Sequence, residues 1–173
     1  MPSTARDALI AIAALLAPGE PDVADRAVQA HAYPDSYLRD HADRLDERGI
    51  DEPVPELAWI ALIDALTDRG LLAEVDWKEA TAEITAQLRG LRSSPAQPEA
   101  WTWLDTTDTD LVTYDFLELA GRELRDAGIA LAVLDIESDS YPLVLLPADR
   151  ATDLVTLAAT AGFRAEVLAT APK

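Results

Sequence analysis

The first seventy residues have the apolar spacing of consecutive amphipathic helices. Leu9, Ile12 and Leu16 recur at intervals of three and four residues, so they form one stripe on a first helix. Ser3 can cap that helix at its start. Three more helices are predicted, each bounded by proline, glycine or a capping residue: from Pro21 to about Ala30, from Asp35 or Ser36 to Gly49, and from Pro53 and Pro55 to Gly70.

The last two of these helices each have apolar positions that can face the core. The third predicted helix has three apolar positions that can face inward: Leu38, Ala42 and Leu45. The fourth has four large aliphatic positions that can be buried: Leu57, Ile60, Ile63 and Leu66. Asp64 stands between apolar neighbours in the fourth helix, and exposure on the far face is its simplest interpretation.

Beyond residue 70 the apolar runs become shorter and predict strands. Residues 129–136 are apolar except for Asp135, which favours a strand buried on both faces at the centre of a sheet. Turn-forming residues follow, so residues 129–146 are predicted to form a hairpin with Pro142 at the start of its returning strand. The other predicted elements are strands at 71–75 and 163–168, helices at 77–92, 111–127 and 149–161, and a loop at 93–109 with a short extended piece at Trp101 and Trp103.

This order of elements predicts the α+β class. A helical N-terminal half is expected to pack on a small mixed or antiparallel sheet of about four strands in the C-terminal half. We predict one domain over residues 1–173, made of an all-helical part (1–70) and an α+β part (71–173). Neither part has enough elements to cover both of its own faces, so we expect the two to share one compact unit.

The chain is strongly acidic along its whole length. It carries 14 basic and 32 acidic side chains, which gives a net charge of −18 with neutral histidines. The charge is spread evenly, with −8 over residues 1–70 and −10 over residues 71–173. A field of this sign repels nucleic-acid phosphates and anionic lipid headgroups and attracts a basic protein. We therefore expect a basic protein partner, and neither a nucleic acid nor a membrane.

The amino-acid composition also excludes several kinds of catalytic and metal site. The chain has no cysteine, which excludes disulfides, thiolate metal sites and a cysteine nucleophile. No apolar run approaches the roughly 20 residues that cross a bilayer, and the N-terminus does not resemble a signal peptide, so a cytoplasmic location is expected. Phosphate-binding loops and the motifs G-x-S-x-G and H-E-x-x-H are missing from the sequence, and no cofactor is indicated.

The first candidate binding segment covers residues 76–79 at a predicted strand-to-helix junction. Asp76 and Glu79 have the spacing of a capping box, in which both carboxylates lie near the positive end of the helix. In that interpretation Trp77 packs against the sheet. The functional alternative treats Lys78, the only lysine before the terminal residue, as a binding contact flanked by acids.

The second candidate segment begins at the end of the predicted central strand. If the strand continued, alternation would place Asp135, Glu137 and Asp139 on one side, where three carboxylates could hold a divalent cation. Paired carboxylates could also serve as a general acid and base within a pocket. The segment is not an EF-hand loop, because the sixth position is Ser140 instead of glycine.

The structural alternative for this segment is a hairpin turn. Ser138, Asp139 and Ser140 would then bond to the local backbone, and Tyr141 would cover the core. In the functional interpretation Asp135, Ser138, Asp139, Ser140 and Tyr141 are candidate binding residues.

A third acidic stretch, residues 105–110, is weaker as a site. Asp108 or Thr109 can cap the helix predicted to follow, which explains the Asp and Thr content without a ligand. A metal loop is the less favoured alternative, because the stretch has neither glycine nor histidine. His31 and His41 lie on different predicted helices and are not expected to form a metal pair.

Three parts of the chain resemble a known family. These are Trp59 in its apolar helix, the junction at 74–79 with its D-W-K motif, and the hairpin at 134–143 with its S-D-S-Y motif. Together they are similar to an uncharacterised bacterial family of domains of unknown function, over roughly residues 55–168. The resemblance implies a cytoplasmic bacterial α+β domain and no particular activity.

Two functions from different classes remain open. The charge and the missing enzyme motifs favour a non-enzymatic domain that binds a basic protein, as an immunity or antitoxin-like factor does. In size and acidity the chain also resembles immunity proteins of toxin systems. The alternative is a divalent-cation-binding module or metal-dependent enzyme that uses Asp135, Glu137 and Asp139. A mimic of nucleic acid is disfavoured, because arginines are scattered among the acids.

Overall fold

The computed structural model describes residues 4–108 and 110–168. The first part is helical: α1 (Ala5–Leu16), α2 (Pro21–Ala32), α3 (Pro34–Asp40), α4 (Ala42–Glu47) and α5 (Leu57–Asp68). The second part mixes both types: β1 (Ala73–Asp76), α6 (Thr81–Arg89), a 3₁₀ helix (Pro98–Thr106), α7 (Thr113–Asp126), β2 (Ile129–Asp135), β3 (Ser140–Pro147), a 3₁₀ turn (Ala148–Arg150), α8 (Ala151–Ala161) and β4 (Arg164–Val167). The predicted α+β class is confirmed.

The four strands form one antiparallel sheet in the order β1-β3-β2-β4. The predicted hairpin is present, with Ile129 opposite Pro147 and Val133 opposite Leu143. The continuous apolar run of β2 is explained by its central place between β3 and β4. Pro142 lies near the start of β3, before the ladder to β2 begins.

Each face of the sheet is covered by helices, because successive strand residues point to opposite sides. Ala130, Ala132 and Leu134 pack with α1, α2, α5 and α8. Leu131 and Val133 pack on the other face with α6, α7 and the long 3₁₀ helix. Among the described residues, no helix is long and apolar enough to span a bilayer.

Glycine is required where α7 meets the residue after β4. A Cβ atom on Gly121 would lie 2.8 Å from the carbonyl oxygen of Leu168, which is closer than van der Waals contact permits. We expect Gly121→Ala to lower the free energy of unfolding by about 1–3 kcal/mol, because the two backbones would have to separate. Chemical denaturation measures this. Gly90→Ala is the control and should cost less, because its Cβ would lie no closer than 3.3 Å to a backbone oxygen.

The predicted third helix is broken in two at His41. Tyr37 of α3 and Leu45 of α4 point into the core, whereas Ala42 is exposed, contrary to the prediction. The ring of Tyr37 stacks on His41 with 4.2 Å between centroids, at the residue that separates the two helices. Pro34 begins α3, and neither Asp35 nor Ser36 caps it.

The predicted caps of two other helices are also replaced. Thr4 caps α1 by accepting a hydrogen bond from the Asp7 amide at 3.1 Å, and Ser3 lies outside the described residues. Val112 precedes α7, so Asp108 does not cap that helix. Asp108 instead accepts from the Asp110 amide at 2.9 Å, and Thr109 lies outside the described residues.

The expectation of an extended piece around the two tryptophans of the 93–109 loop is wrong. Residues 98–106 form a 3₁₀ helix, in which the Trp103 indole donates to the Ala100 carbonyl at 2.9 Å. Trp101 is buried and contacts Trp103, with 6.3 Å between ring centroids. Trp101 and Trp103 are therefore neighbours on a tight 3₁₀ helix, and their spacing of two residues does not indicate a strand here.

The predicted exposure of Asp64 is wrong as well. Its side chain is fully buried in α5, where nearly every residue is buried. The carboxylate is tolerated because Arg44 and Arg48 reach it from α4 and from the turn that follows. These arginines are distant in sequence from Asp64, so the pattern of α5 alone could not reveal them.

Candidate functional site

An open groove of about 520 Å³ lies beside the end of β1. One wall is the turn at residues 77–81, the other is the segment at residues 110–114, and Tyr141 of β3 also lines it. We name it the Trp77 groove. It contains four of the residues singled out from the sequence: Trp77, Lys78, Glu79 and Tyr141.

The wall at 77–81 is a turn instead of the first turn of a helix. The Asp76 carboxylate accepts from the Lys78 amide at 2.8 Å, and the Asp76 carbonyl accepts from the Glu79 amide at 3.0 Å. Helix α6 begins only at Thr81, so the predicted capping box of Asp76 and Glu79 does not form. The turn directs Trp77 away from the sheet. That side chain is 49% exposed, so the expected packing against the sheet is wrong.

The first wall is tied to both the hairpin and the opposite wall. The Trp77 amide donates to the Asp139 carbonyl at 2.9 Å, which extends the pairing of β1 with β3 past Asp76. The hydroxyl of Thr113, which is buried, donates to the Glu79 carbonyl at 2.9 Å. The first bond holds the turn against the hairpin, and the second joins the two walls of the groove.

The second wall presents Val112 and Tyr114 at the start of α7. The Tyr114 hydroxyl donates to Glu166 at 3.0 Å, and its ring lies 6.2 Å from that of Tyr141. Partial burial raises the pKa of Tyr114, and hydrogen bonds with Glu166 and Glu118 raise it further. The hydroxyl therefore remains a protonated donor, which holds the ring at the groove.

Exposed hydrophobic side chains are concentrated at this groove. The described residues include five large hydrophobic side chains that are exposed: Tyr33, Trp77, Val112, Tyr114 and Val155. Three of the five line the Trp77 groove. Such clustering of exposed apolar and aromatic area is typical of interaction sites, whereas single exposed residues are ordinary.

The groove is also acidic. Glu79 and Asp110 line it, and Glu118 and Glu166 hold the Tyr114 hydroxyl. Lys78 is the only basic residue among those that line the groove, and its ammonium lies 4.5 Å from the centre of the Trp77 ring. The indole face thus already accommodates a cation, supplied by the chain itself.

An ion-pair network anchors the strands behind the groove. The Arg48 guanidinium lies 2.6 Å from Asp64 of α5 and 2.8 Å from Glu74 of β1. Ser140, the first residue of β3, donates to Glu74 at 3.0 Å. Partial burial works against the charge of Arg48, but the hydrogen bonds to Glu74 and Asp64 outweigh it and raise the pKa of Arg48. Strands β1 and β3 are thereby fastened to α5.

The same network continues among the helices. Asp68 accepts hydrogen bonds from Arg44 and Arg26, both at 2.7 Å, and Arg26 also donates to the Tyr37 hydroxyl at 3.4 Å. Burial opposes the charge of Asp68, but these two arginines outweigh it and lower the pKa of the carboxyl. One oxygen of Asp64 is buried without a hydrogen-bond partner among the described residues. The three arginines of the network pair with three carboxylates, so its charges are matched and it serves as a structural element.

The carboxylates at the end of β2 lie apart from the Trp77 groove. Asp135 and Glu137 line a separate groove of about 290 Å³ with Phe163 and Arg164. Strand β2 ends at Asp135, and Glu137 has a φ of 54°, so the alternation that would align the carboxylates is interrupted. Asp135 accepts from the Glu137 amide at 2.8 Å and lies 3.8 Å from the Arg164 guanidinium.

The hairpin residues make the local bonds of a turn. The Ser140 amide donates to the Ser138 hydroxyl at 3.2 Å, and the two hydroxyls lie 3.1 Å apart. Tyr141 packs against the core on the groove side of the sheet. Across the described ranges, no group of three or more His, Cys, Asp or Glu side chains could hold a metal ion, and this covers both histidines.

Comparison with known proteins places the chain in a family. The model of a domain of unknown function, DUF6630, matches residues 8–169. The chain belongs to the DUF6630 family. The match runs from α1 to just beyond β4, so the DUF6630 domain includes the first helices, which the resemblance over residues 55–168 left out. No curated protein matches the chain significantly, and no solved structure does either.

The groove residues of the second wall were missed in the sequence. The sequence predicts one helix over residues 111–127, in which Val112 and Tyr114 are ordinary helical positions. In the structure α7 begins at Thr113. The available signal was the pair of apolar residues Leu111 and Val112 directly after an acidic loop. In the DUF6630 chain these residues face the D-W-K turn because α7 packs against β2 and Thr113 donates a hydrogen bond to Glu79.

Proposed function

We propose that this DUF6630 chain is a non-enzymatic protein-binding domain that holds a basic segment of another protein in the Trp77 groove. The observation that carries the proposal is the convergence of Trp77, Val112 and Tyr114, three of the five exposed large hydrophobic side chains in the described ranges, on one groove. Exposed aromatic side chains of this kind are the usual anchors of protein interfaces.

The charge of the groove supports a basic occupant. Acidic side chains outnumber Lys78 around the groove, and the whole chain carries −18. Complementary charge accelerates association and disfavours acidic competitors. The contact of Lys78 with Trp77 further indicates which group would bind, because an arginine or lysine of the partner can occupy the same ring face.

A cytoplasmic immunity or antitoxin-like role is a narrower form of this proposal. A toxin that acts on nucleic acid has a basic surface, and an acidic domain can cover that surface. The even spread of charge over the chain supports long-range attraction to such a partner, in addition to the local contacts of the groove.

Selection from displayed peptide libraries tests the proposal. One library carries lysine and arginine between aliphatic positions, and the matched library carries aspartate and glutamate at the same places. We expect enrichment from the basic library only, with binding that weakens as salt rises because screening shortens electrostatic reach to about 8 Å at physiological ionic strength. Enrichment from the acidic library, or from neither library, would contradict the proposal.

We expect Trp77→Ala to weaken binding of the selected peptide by about 30-fold, as truncation of an interface anchor does. Fluorescence anisotropy with a labelled peptide measures the affinity. Tyr33→Ala is the matched control, because Tyr33 is an exposed aromatic residue (68%) that does not line the groove, and it should leave binding unchanged.

A second variant separates the aromatic contact from general charge attraction. Lys78→Ala removes the ammonium that occupies the Trp77 ring, so the peptide should bind at least as tightly as to the natural chain. If Lys78→Ala weakened binding as much as Trp77→Ala, the ring would not be the site of the partner's cation.

A further inference from the structure

Strand β4 leaves one side of the sheet open. It pairs with β2, and no strand of the described residues pairs with its other edge. Open edges of sheets are the usual places where a second chain adds a strand. Glu166 of β4 also accepts the hydrogen bond of Tyr114 at the Trp77 groove, but the open edge is a property of the strand and does not rest on the proposed function of that groove.

The ladder between β2 and β4 shows which way the backbone groups of β4 point. The Leu168 amide donates to the Leu131 carbonyl at 2.9 Å, so Leu168 directs its backbone groups toward β2. Backbone direction alternates along an antiparallel strand, so Arg164 and Glu166 also direct theirs toward β2. The amide and carbonyl of Ala165 and Val167 therefore point outward.

The geometry points to a symmetric dimer in which the β4 strands of two copies pair antiparallel about Ala165. In this register the two Ala165 residues exchange both backbone hydrogen bonds, because each directs its amide and carbonyl outward. Arg164 of one copy then lies directly opposite Glu166 of the other, and the twofold symmetry repeats the pair. Such cross-strand residues lie on the same face of the joined sheet.

The charges of Arg164 and Glu166 favour this register over the adjacent one. Pairing about Glu166 would also align outward backbone groups, of Ala165 with Val167, but it would place the two Glu166 carboxylates directly opposite each other. Pairing about Ala165 replaces that repulsion with two ion pairs. Arg164 can form them, because its side chain is 73% exposed and its ion pair with Asp135 is long, at 3.8 Å.

The surface beside β4 can also pack against the second copy. A groove of about 570 Å³ runs along this edge, lined by Ala165 and Val167 of β4 and by Val155 of α8, which is 40% exposed. Arg125 also lines it, and its Nε atom is buried without a hydrogen-bond partner among the described residues. Apolar area next to an unpaired edge gives the second copy both hydrogen bonds and burial.

Sedimentation equilibrium of the full chain at physiological ionic strength tests the dimer. We expect the natural sequence to dimerise as concentration rises. Arg164→Glu alone and Glu166→Arg alone each oppose two like-charged pairs, so each should raise the dimer dissociation constant on the order of tenfold or more. In an equimolar mixture of the two variants, a heterodimer again has opposite charges at both cross-strand pairs, so mixing should restore dimerisation.

Three outcomes would overturn the inference: a natural chain that stays monomeric at every concentration, a mixture that dimerises no better than its components, or loss of the dimer on Trp77→Ala. Far-UV circular dichroism checks that each variant folds. Ala165→Pro gives an independent arm, because it removes the outward amide of an edge strand and leaves the ladder to β2 intact. We expect Ala165→Pro to be monomeric, and a dimer as strong as that of the natural chain would also overturn the pairing.

Discussion

Arg48→Ala is expected to lower the free energy of unfolding by about 3–5 kcal/mol, because it leaves buried charge without its principal partner. Asp64 is fully buried and lies 2.6 Å from Arg48, whereas its other arginine, Arg44, is at 3.4 Å. The same substitution also releases Glu74 of β1. Urea denaturation followed by circular dichroism measures the change.

Arg92→Ala is the matched control for this prediction. Arg92 pairs with Glu20 at 2.9 Å, but its side chain is 56% exposed, so its loss should cost no more than about 1 kcal/mol. Adding Asp64→Ala to Arg48→Ala removes the unpaired carboxylate, so the double variant should lose less stability than the two single losses combined. If Arg48→Ala and Arg92→Ala lowered the free energy of unfolding equally, the burial of Asp64 would not determine the loss of stability.

Trp59→Ala is expected to lower the free energy of unfolding by about 3–5 kcal/mol, as truncation of a large buried aromatic does. Trp59 is fully buried, and its ring stacks on Phe163 with 4.9 Å between centroids. Its indole also donates to the Asp135 carbonyl at 3.1 Å. The substitution therefore removes packing and a hydrogen bond at the point where α5 meets the end of β2.

Two variants separate these contributions in the same denaturation experiment. Trp59→Phe keeps an aromatic ring against Phe163 and loses the donor, so it should cost roughly 1–3 kcal/mol. Trp77→Ala removes a tryptophan that is half exposed and should cost less than about 1 kcal/mol. If Trp59→Ala were no more costly than Trp77→Ala, the burial of Trp59 would not contribute to stability as argued.

These two anchors explain how the helical half can position the Trp77 groove on the opposite face of the sheet. Arg48 and Trp59 both connect the helical half to the end of the sheet at which β1 finishes and the hairpin turns. The turn that carries Trp77 follows directly from β1. Weakening either anchor should therefore loosen the groove along with the fold, while Trp77→Ala should affect binding alone.

Much of the fold could be predicted, because its helices and strands follow from patterns among residues that are close together in the sequence. The apolar stripe of α1 and the proline and glycine boundaries of α2 and α5 gave helices within a few residues of their observed limits. The continuous apolar run of β2 and the polar turn after it predicted the hairpin with β3. That the whole chain forms a single domain stays a prediction.

Part of the candidate site could be predicted from the sequence. The D-W-K turn and Tyr141 were singled out from residue types, and the structure brings them together because β1 pairs with β3. Asp135, which is another candidate binding residue, lies at a different groove at the end of β2. Val112 and Tyr114 were missed, since their role depends on where α7 packs.

The sequence by itself determined most of the helices and strands, the hairpin and the acidic character of the chain, because periodicity, turn residues and charge act over a few neighbouring positions. Only the tertiary structure decided that Asp64 is buried and that Trp77 is exposed. The first depends on Arg48, sixteen residues away, and the second on the turn that starts at Asp76. A side chain's environment is set by the elements packed around it, and their arrangement is a property of the whole chain.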